Sequence, residues 1–141
     1  MLVENIELVT QPTQSSCVHA CLSMVTGIPV QIILEQLSEP NPPNEYIPWL
    51  VRNNILPTFE RNFLFGNLYL VDIASLNYLG TLHMVVVDVR CDKQEDIKVF
   101  DPQEGNDKVY LERGSLLEMG NWATCVRLLD CGGSFEVGEY C

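Results

Sequence analysis

Basic residues are scarce in this chain of 141 residues, which has 8 Lys and Arg against 19 Asp and Glu and a formal net charge of −11. Proteins that bind nucleic acid concentrate positive charge on one face, where it contacts phosphate groups. The composition therefore argues against nucleic acid as a partner. Acidic charge keeps a protein soluble and favours basic partners or substrates, which we retain as an expectation.

Long apolar runs are also absent from the sequence. A membrane-spanning helix needs roughly 20 consecutive apolar residues, and a secretory signal needs a basic start before an apolar stretch, which residues 1–6 do not provide. We therefore expect no membrane partner and a cytoplasmic location. With 47% of its residues apolar, the chain can bury the core of a single domain over residues 1–141.

Histidine is rare as well, with two residues against six cysteines. Because no export signal is present, we expect the cysteines to be free thiols rather than disulfides. A zinc site at Cys17, His19 and Cys21 is disfavoured, because alternate positions of one helix cannot converge on a tetrahedral ion. We therefore predict neither a metal nor a cofactor. The cysteines are Cys17, Cys21, Cys91, Cys125, Cys131 and Cys141.

Three helices are predicted in the first part of the chain. The first runs over residues 17–26, where apolar residues recur at helical spacing, and Gly27 ends it. A second, with proline in its first turn, covers about 29–38. A third, capped by Asn44, covers about 45–53.

Four later segments have the short, β-branched and aromatic character of strands: 68–73, 82–89, 97–100 and 123–129. Polar connections join the first three, so we expect an antiparallel meander. Helices followed by strands predict an α+β fold, in which N-terminal helices pack on a mainly antiparallel C-terminal sheet. A functional site is then expected in the cleft between the two parts.

Cys17 is the candidate nucleophile. As the first residue of a helix, it lies among unpaired backbone N–H groups and at the positive end of the helix dipole, which both favour a thiolate. A buried structural cysteine is the common alternative for a helical Cys, and we assign that role to Cys21.

A thiolate nucleophile needs a basic partner, for which the chain offers His19 and His83. His19 is two positions from Cys17 on one helix, which turns its side chain roughly 200° away. His83 is therefore the candidate base. It begins a strong predicted strand, with Val85 and Val87 on its own face.

Asp101 is the candidate acid that orients the imidazole. It ends the next predicted strand, so an antiparallel return brings it beside His83. Asp72 and Asp88 are rival acids in poorer register.

Gln11 precedes Cys17 by six positions, and its side-chain amide can donate into the space above the sulfur. Together with the N–H of Cys17 it would form an oxyanion hole. Gln14 competes for this role.

In these features the sequence resembles the papain-like cysteine peptidases, and most closely the small bacterial group related to the peptidase domains that cleave double-glycine bacteriocin leaders. The likeness spans most of the chain in order. The matching elements are Gln11 and Cys17 at Gln-x5-Cys spacing, Ala20 and Met24 in the following helix, the run Leu82-His83-Met-Val-Val-Val, and Val99-Phe-Asp101-Pro-x-x-Gly105.

The resemblance implies a compact papain-like fold with Cys17 as nucleophile, His83 as base, Asp101 as orienting acid and Gln11 as oxyanion donor. It implies hydrolysis of a peptide, isopeptide or similar amide bond through an acyl-thioester, with a peptide or protein as substrate. Val18 departs from the Gly or aromatic residue that many relatives carry after the cysteine. Acyl transfer by the same Cys–His pair, and a catalytically silent binding or adaptor protein, are the alternative functions.

Overall fold

The computed structural model of the chain describes residues 1–39, 43–60, 62–74, 82–103 and 124–130. Within these ranges three helices are followed by an antiparallel sheet, which confirms the predicted α+β class. The helices are α1 (Cys17–Thr26), α2 (Val30–Gln36) and α3 (Pro43–Arg52). The strands are β1 (Ile55–Phe59), β2 (Asn67–Ala74), β3 (Leu82–Val89), β4 (Lys98–Phe100) and β5 (Thr124–Asp130).

The first helix has the predicted bounds, because Gly27 takes a left-handed conformation (φ 77°) and its N–H bonds to the Ser23 carbonyl. The third begins earlier than predicted. Pro43 is its first residue, so Asn44 lies within the helix and does not cap it; proline favours this position because its φ is already helical. None of the helices in the described ranges is long and apolar enough to span a membrane.

The sheet has the strand order β1-β5-β2-β3-β4, and every neighbouring pair is antiparallel. The predicted meander corresponds to β2, β3 and β4 and is confirmed. The last predicted strand is found one residue later, as β5, and Ala123 lies outside the described residues. Strand β1 was not predicted: it is a five-residue edge strand that contains Pro57, which an edge tolerates.

The two faces of the sheet belong to two apolar clusters, as strand alternation requires. One face packs against all three helices and contributes Leu68, Leu70, Met84, Val86, Val126 and Leu128. The other face carries Tyr69, Val71, Ile73, Val85, Val87, Val89, Ile97 and Cys125. The helix-facing cluster therefore fixes where the start of α1 lies relative to the strands.

The N-terminal segment ties the helical layer to the sheet. The N–H of Val3 donates to the Val25 carbonyl at 2.8 Å, and the Arg90 guanidinium donates to the Val3 carbonyl at 2.6 Å. The terminal ammonium of Met1 donates to the Asn53 carbonyl at 2.7 Å. These contacts hold α1 in place from the end opposite to Cys17.

Candidate active site

Cys17 is the first residue of α1 and is partly exposed. Ser16 precedes the helix, but its side chain does not cap it. Its hydroxyl instead accepts the Thr13 N–H at 3.0 Å and donates to the Thr13 carbonyl at 3.1 Å. The N–H groups of the first helical turn therefore remain available to an anion at the helix start, such as a thiolate or an oxyanion.

Cys21 sets the position of α1 above β3, because its thiol donates to the Met84 carbonyl at 3.4 Å. Four residues extend a helix by about 6 Å, which equals about two residues of a strand. Cys17 therefore lies over the first residues of β3, and its side chain is hydrogen-bonded to that of His83.

His83 is held from its other side by Asp101, whose Oδ1 lies 2.7 Å from the imidazole Nε2. In the register that pairs Val86 with Phe100, Asp101 follows β4 diagonally across from His83. The same Oδ1 accepts the Gln103 N–H at 2.8 Å, an Asx turn that fixes the carboxylate. With Nε2 directed at Asp101, Nδ1 is the nitrogen that faces Cys17.

The charge state of His83 follows from these two partners. Burial lowers its pKa, since 4% of the side chain is exposed, but the hydrogen bonds and opposite charges of Asp101 and Cys17 outweigh burial and raise the pKa to about 9. The imidazolium is therefore the dominant form at neutral pH. An imidazolium beside a sulfur stabilises the thiolate.

Gln11 lies next to this site, because its backbone N–H donates to the Pro102 carbonyl at 2.8 Å. Its amide nitrogen donates to the carbonyls of Thr13 at 2.8 Å and Gln14 at 3.0 Å. Both amide hydrogens are thus directed into the loop before Cys17. The amide oxygen is buried and has no hydrogen-bond partner in the described part of the chain. The rival Gln14 has an exposed side chain.

The other histidine and one rival acid have structural partners elsewhere. His19 is buried, and its Nε2 lies 3.2 Å from the Leu37 carbonyl, on a different side of α1 from the site. Asp88 forms a two-oxygen ion pair with Arg90, at 3.0 Å for each contact. Both placements agree with the sequence argument against them.

Asp72, the second rival acid, lies on β2 opposite Met84. Burial raises its pKa to about 6, and the nearby positive charge of His83 lowers it by a smaller amount. Asp101 is the acid hydrogen-bonded to the imidazole, whereas Asp72 approaches the same site from the helix-facing side of the sheet.

Sequence reasoning missed the residues that support the loop before Cys17. The hydroxyls of Thr13 and Ser15 both donate to a carboxylate oxygen of Glu39. Gln103 was also missed. The pattern Asp-x-Gln after a strand could have indicated its backbone bond to Asp101, but nothing in the sequence indicates the long-range contacts of Glu39.

No family model, curated protein or solved structure matches this chain. Among the described residues no group of three or more His, Cys, Asp or Glu side chains is arranged to hold a metal ion. The described residues bring together a thiol, an imidazole and a carboxylate in series beside open backbone N–H groups. Such a series can generate a nucleophilic sulfur and deliver a proton to a leaving group.

Proposed function

We propose that the protein is a papain-like cysteine hydrolase that cleaves a peptide, isopeptide or similar amide bond. Cys17 is the nucleophile, His83 the base and acid, Asp101 the orienting acid and Gln11 the oxyanion donor. The observation that carries the proposal is that His83 bonds to Cys17 and to Asp101 at once, with an exposed fraction of 4%. The substrate is a peptide or protein.

In the first half of the reaction, the Cys17 thiolate attacks the amide carbonyl and forms a C–S bond. Protonated His83 gives its Nδ1 proton to the leaving nitrogen as the C–N bond breaks, which leaves an acyl-thioester. Neutral His83 then takes a proton from water, the hydroxyl adds to the thioester, and the thiolate leaves. The carboxylic acid product is released, and the Cys17 thiolate and the His83 imidazolium are regenerated.

The oxyanion formed in each half needs donors. The N–H of Cys17 at the start of α1 supplies one. For Gln11 to supply the other, one of its amide hydrogens must turn from a loop carbonyl toward the oxyanion. The fold keeps the amide beside the site through the bond between the Gln11 backbone and Pro102.

A cytoplasmic location suits this chemistry, because a reducing compartment keeps a nucleophilic thiol available. The four described cysteines are free thiols, as the sequence predicted. Cys131 and Cys141 lie outside the described residues.

The direct test of the proposal is selective alkylation. At about pH 6 a Cys17 paired with imidazolium should react with iodoacetamide at least about tenfold faster than ordinary thiols, because it alone is held as thiolate. Peptide mapping by mass spectrometry measures each site. Cys91, which is also partly exposed, is the internal control. Equal labelling of Cys17 and Cys91 would support the alternative of a silent binding protein and reject the hydrolase.

The role of Asp101 predicts a change in pH dependence. Because the His83 pKa is raised to about 9, the imidazolium persists up to that pH. The pH profiles of Cys17 alkylation and of turnover should therefore each have an alkaline limb near pH 9. Asp101→Asn keeps an oxygen acceptor and removes the charge, so the limb should move about one pH unit or more toward neutrality. Alkylation rates across pH measure the shift.

Asp92→Asn, at an exposed site after β3, is the control and should leave the limb unchanged. An Asp101→Asn limb that stays near pH 9 would show that this carboxylate does not govern the pKa of His83.

The free energy of unfolding should depend on pH for the same reason. The raised pKa of His83 stabilises the folded state below pH 6.5, and that contribution is lost as pH rises through about 9.

A further inference from the structure

Asp72 is a carboxylate for which neither the fold nor the proposed mechanism has a use. It lies on β2 between Met84 of β3 and Thr124 of β5. Alternation puts it on the helix-facing side with Leu70, one step beyond the point where the apolar cluster on that side ends. It is partly exposed, although its neighbours in the core are not.

Asp72 lies at the same end of the sheet as the reacting groups. Its strand partner Met84 is the residue after His83, and the Met84 carbonyl is the acceptor that holds Cys21 one helical turn from Cys17. Burial is the main reason that the pKa of Cys21 is raised. The charges of Cys17, Asp72 and Asp101 raise it further. The carboxylate therefore borders the site from the helix-facing side.

Within the described ranges, Asp72 makes no ion pair and no hydrogen bond. The arginines that form ion pairs in the described sheet are engaged elsewhere, Arg90 with Asp88 and Arg127 with Glu60. Its attractive charge neighbour in the described part of the chain is the imidazolium of His83, which offsets only part of the cost of burial, so the pKa of Asp72 stays raised. A carboxylate whose charge is only partly offset can bind a further cation at the site.

Tyr46 is a second polar group without a partner in the same corner. It is 1% exposed, and its hydroxyl makes no hydrogen bond in the described part of the chain. Burial raises its pKa, and the charge of Asp72 raises it further. Because the Tyr46 hydroxyl is fully buried, Asp72, which is partly exposed, is the group that a ligand with N–H donors can contact.

We propose that Asp72 is a specificity-determining residue that binds an ammonium or guanidinium group of the substrate whose carbonyl Cys17 attacks. The inference rests on the proposed function, and it names the substrate class as cationic peptides or amines linked through an amide. The acidic composition of the chain favours such substrates at long range, whereas Asp72 would select them at the site. The raised pKa of about 6 leaves Asp72 mostly ionised at neutral pH, as cation binding needs.

The test uses two methanethiosulfonates that share a reacting group and differ in charge, one bearing trimethylammonium and one bearing sulfonate. In each case the Cys17 thiolate attacks the sulfenyl sulfur, a mixed disulfide forms and methanesulfinate leaves. The ratio of cationic to anionic rates at Cys17 reports the local charge and does not require turnover. We expect Asp72→Asn to lower this ratio about fivefold or more.

Glu35→Gln is the matched control, because it removes one exposed carboxylate on α2 and changes the net charge equally. It should leave the ratio within about 1.5-fold, since water and salt screen the charge of an exposed side chain. Rates at Cys91 in the same samples provide a second control. If Asp72→Asn does not fold, Asp72→Ser gives the same reading, and we expect the folded variant to show a raised Tm.

An unchanged ratio at a Cys17 that still reacts ahead of Cys91 would overturn the role of Asp72 and leave the hydrolase standing. A Cys17 that reacts no faster than Cys91 would overturn both. With a fluorescence-quenched peptide library, the expected wild-type preference is for substrates with Lys or Arg near the cleaved bond. Asp72→Asn should lose that preference, while its turnover of neutral peptides persists.

Discussion

Cys17→Ala is expected to lower kcat/KM for the best library peptide by at least about 10³-fold, because no acyl-thioester can form without the sulfur. The residual rate would come from the open N–H groups of α1 and from substrate binding alone. The variant should fold normally. Cys17 is partly exposed at a helix start, where alanine is well tolerated.

Two further variants make this result specific. Cys91→Ala removes a comparable thiol at a site away from His83 and should retain full activity. Cys17→Ser keeps the shape of the side chain but supplies a hydroxyl that imidazolium cannot keep ionised, so it should be as inactive as Cys17→Ala. Far-UV circular dichroism and thermal unfolding verify the fold. Wild-type turnover by folded Cys17→Ala would assign catalysis to another residue.

His83→Gln should lower kcat/KM by about 10³-fold or more, because the same imidazole stabilises the thiolate and protonates the leaving nitrogen. Glutamine fills much of the buried space and can still donate to Asp101, so the fold should persist. The second expected effect is on the sulfur itself. Alkylation of Cys17 at about pH 6 should fall to the rate of Cys91, because the neighbouring positive charge is lost.

His19→Gln is the matched control for this experiment. It replaces the other buried histidine, at a position where the amide can still bond to the Leu37 carbonyl. Both turnover and Cys17 alkylation should remain near the wild-type values. Loss of activity in both variants with a lowered Tm would point to a damaged fold, whereas loss in His83→Gln alone assigns the effect to the imidazole.

Local sequence patterns were sufficient to predict α1 and the meander of β2, β3 and β4. The first depends on apolar residues at helical spacing and on Gly27, whose left-handed φ of 77° ends the helix. The strands depend on β-branched residues over short runs. These signals are strong because the residues that decide the conformation are neighbours in sequence.

Other parts of the fold depend on residues distant in sequence. Strand β1 contains Pro57 and became a strand by pairing with β5, as in the register that joins Pro57 to Leu128. The position of β5 between β1 and β2 also depends on pairing between residues distant in sequence. Hydrophobic periodicity does not predict this strand order, because the order depends on which faces bury the most apolar area together.

The candidate site divides in the same way. The sequence alone identified Cys17 as the start of a helix and excluded His19 by helical geometry, since both follow from residues a few positions apart. Tertiary structure decided that the imidazole of His83 meets Cys17, that Asp101 rather than Asp72 or Asp88 bonds to it, and that the amide of Gln11 faces the loop. Backbone periodicity fixes the direction of a side chain within its own element, whereas the distance between side chains of different elements is set by how those elements pack.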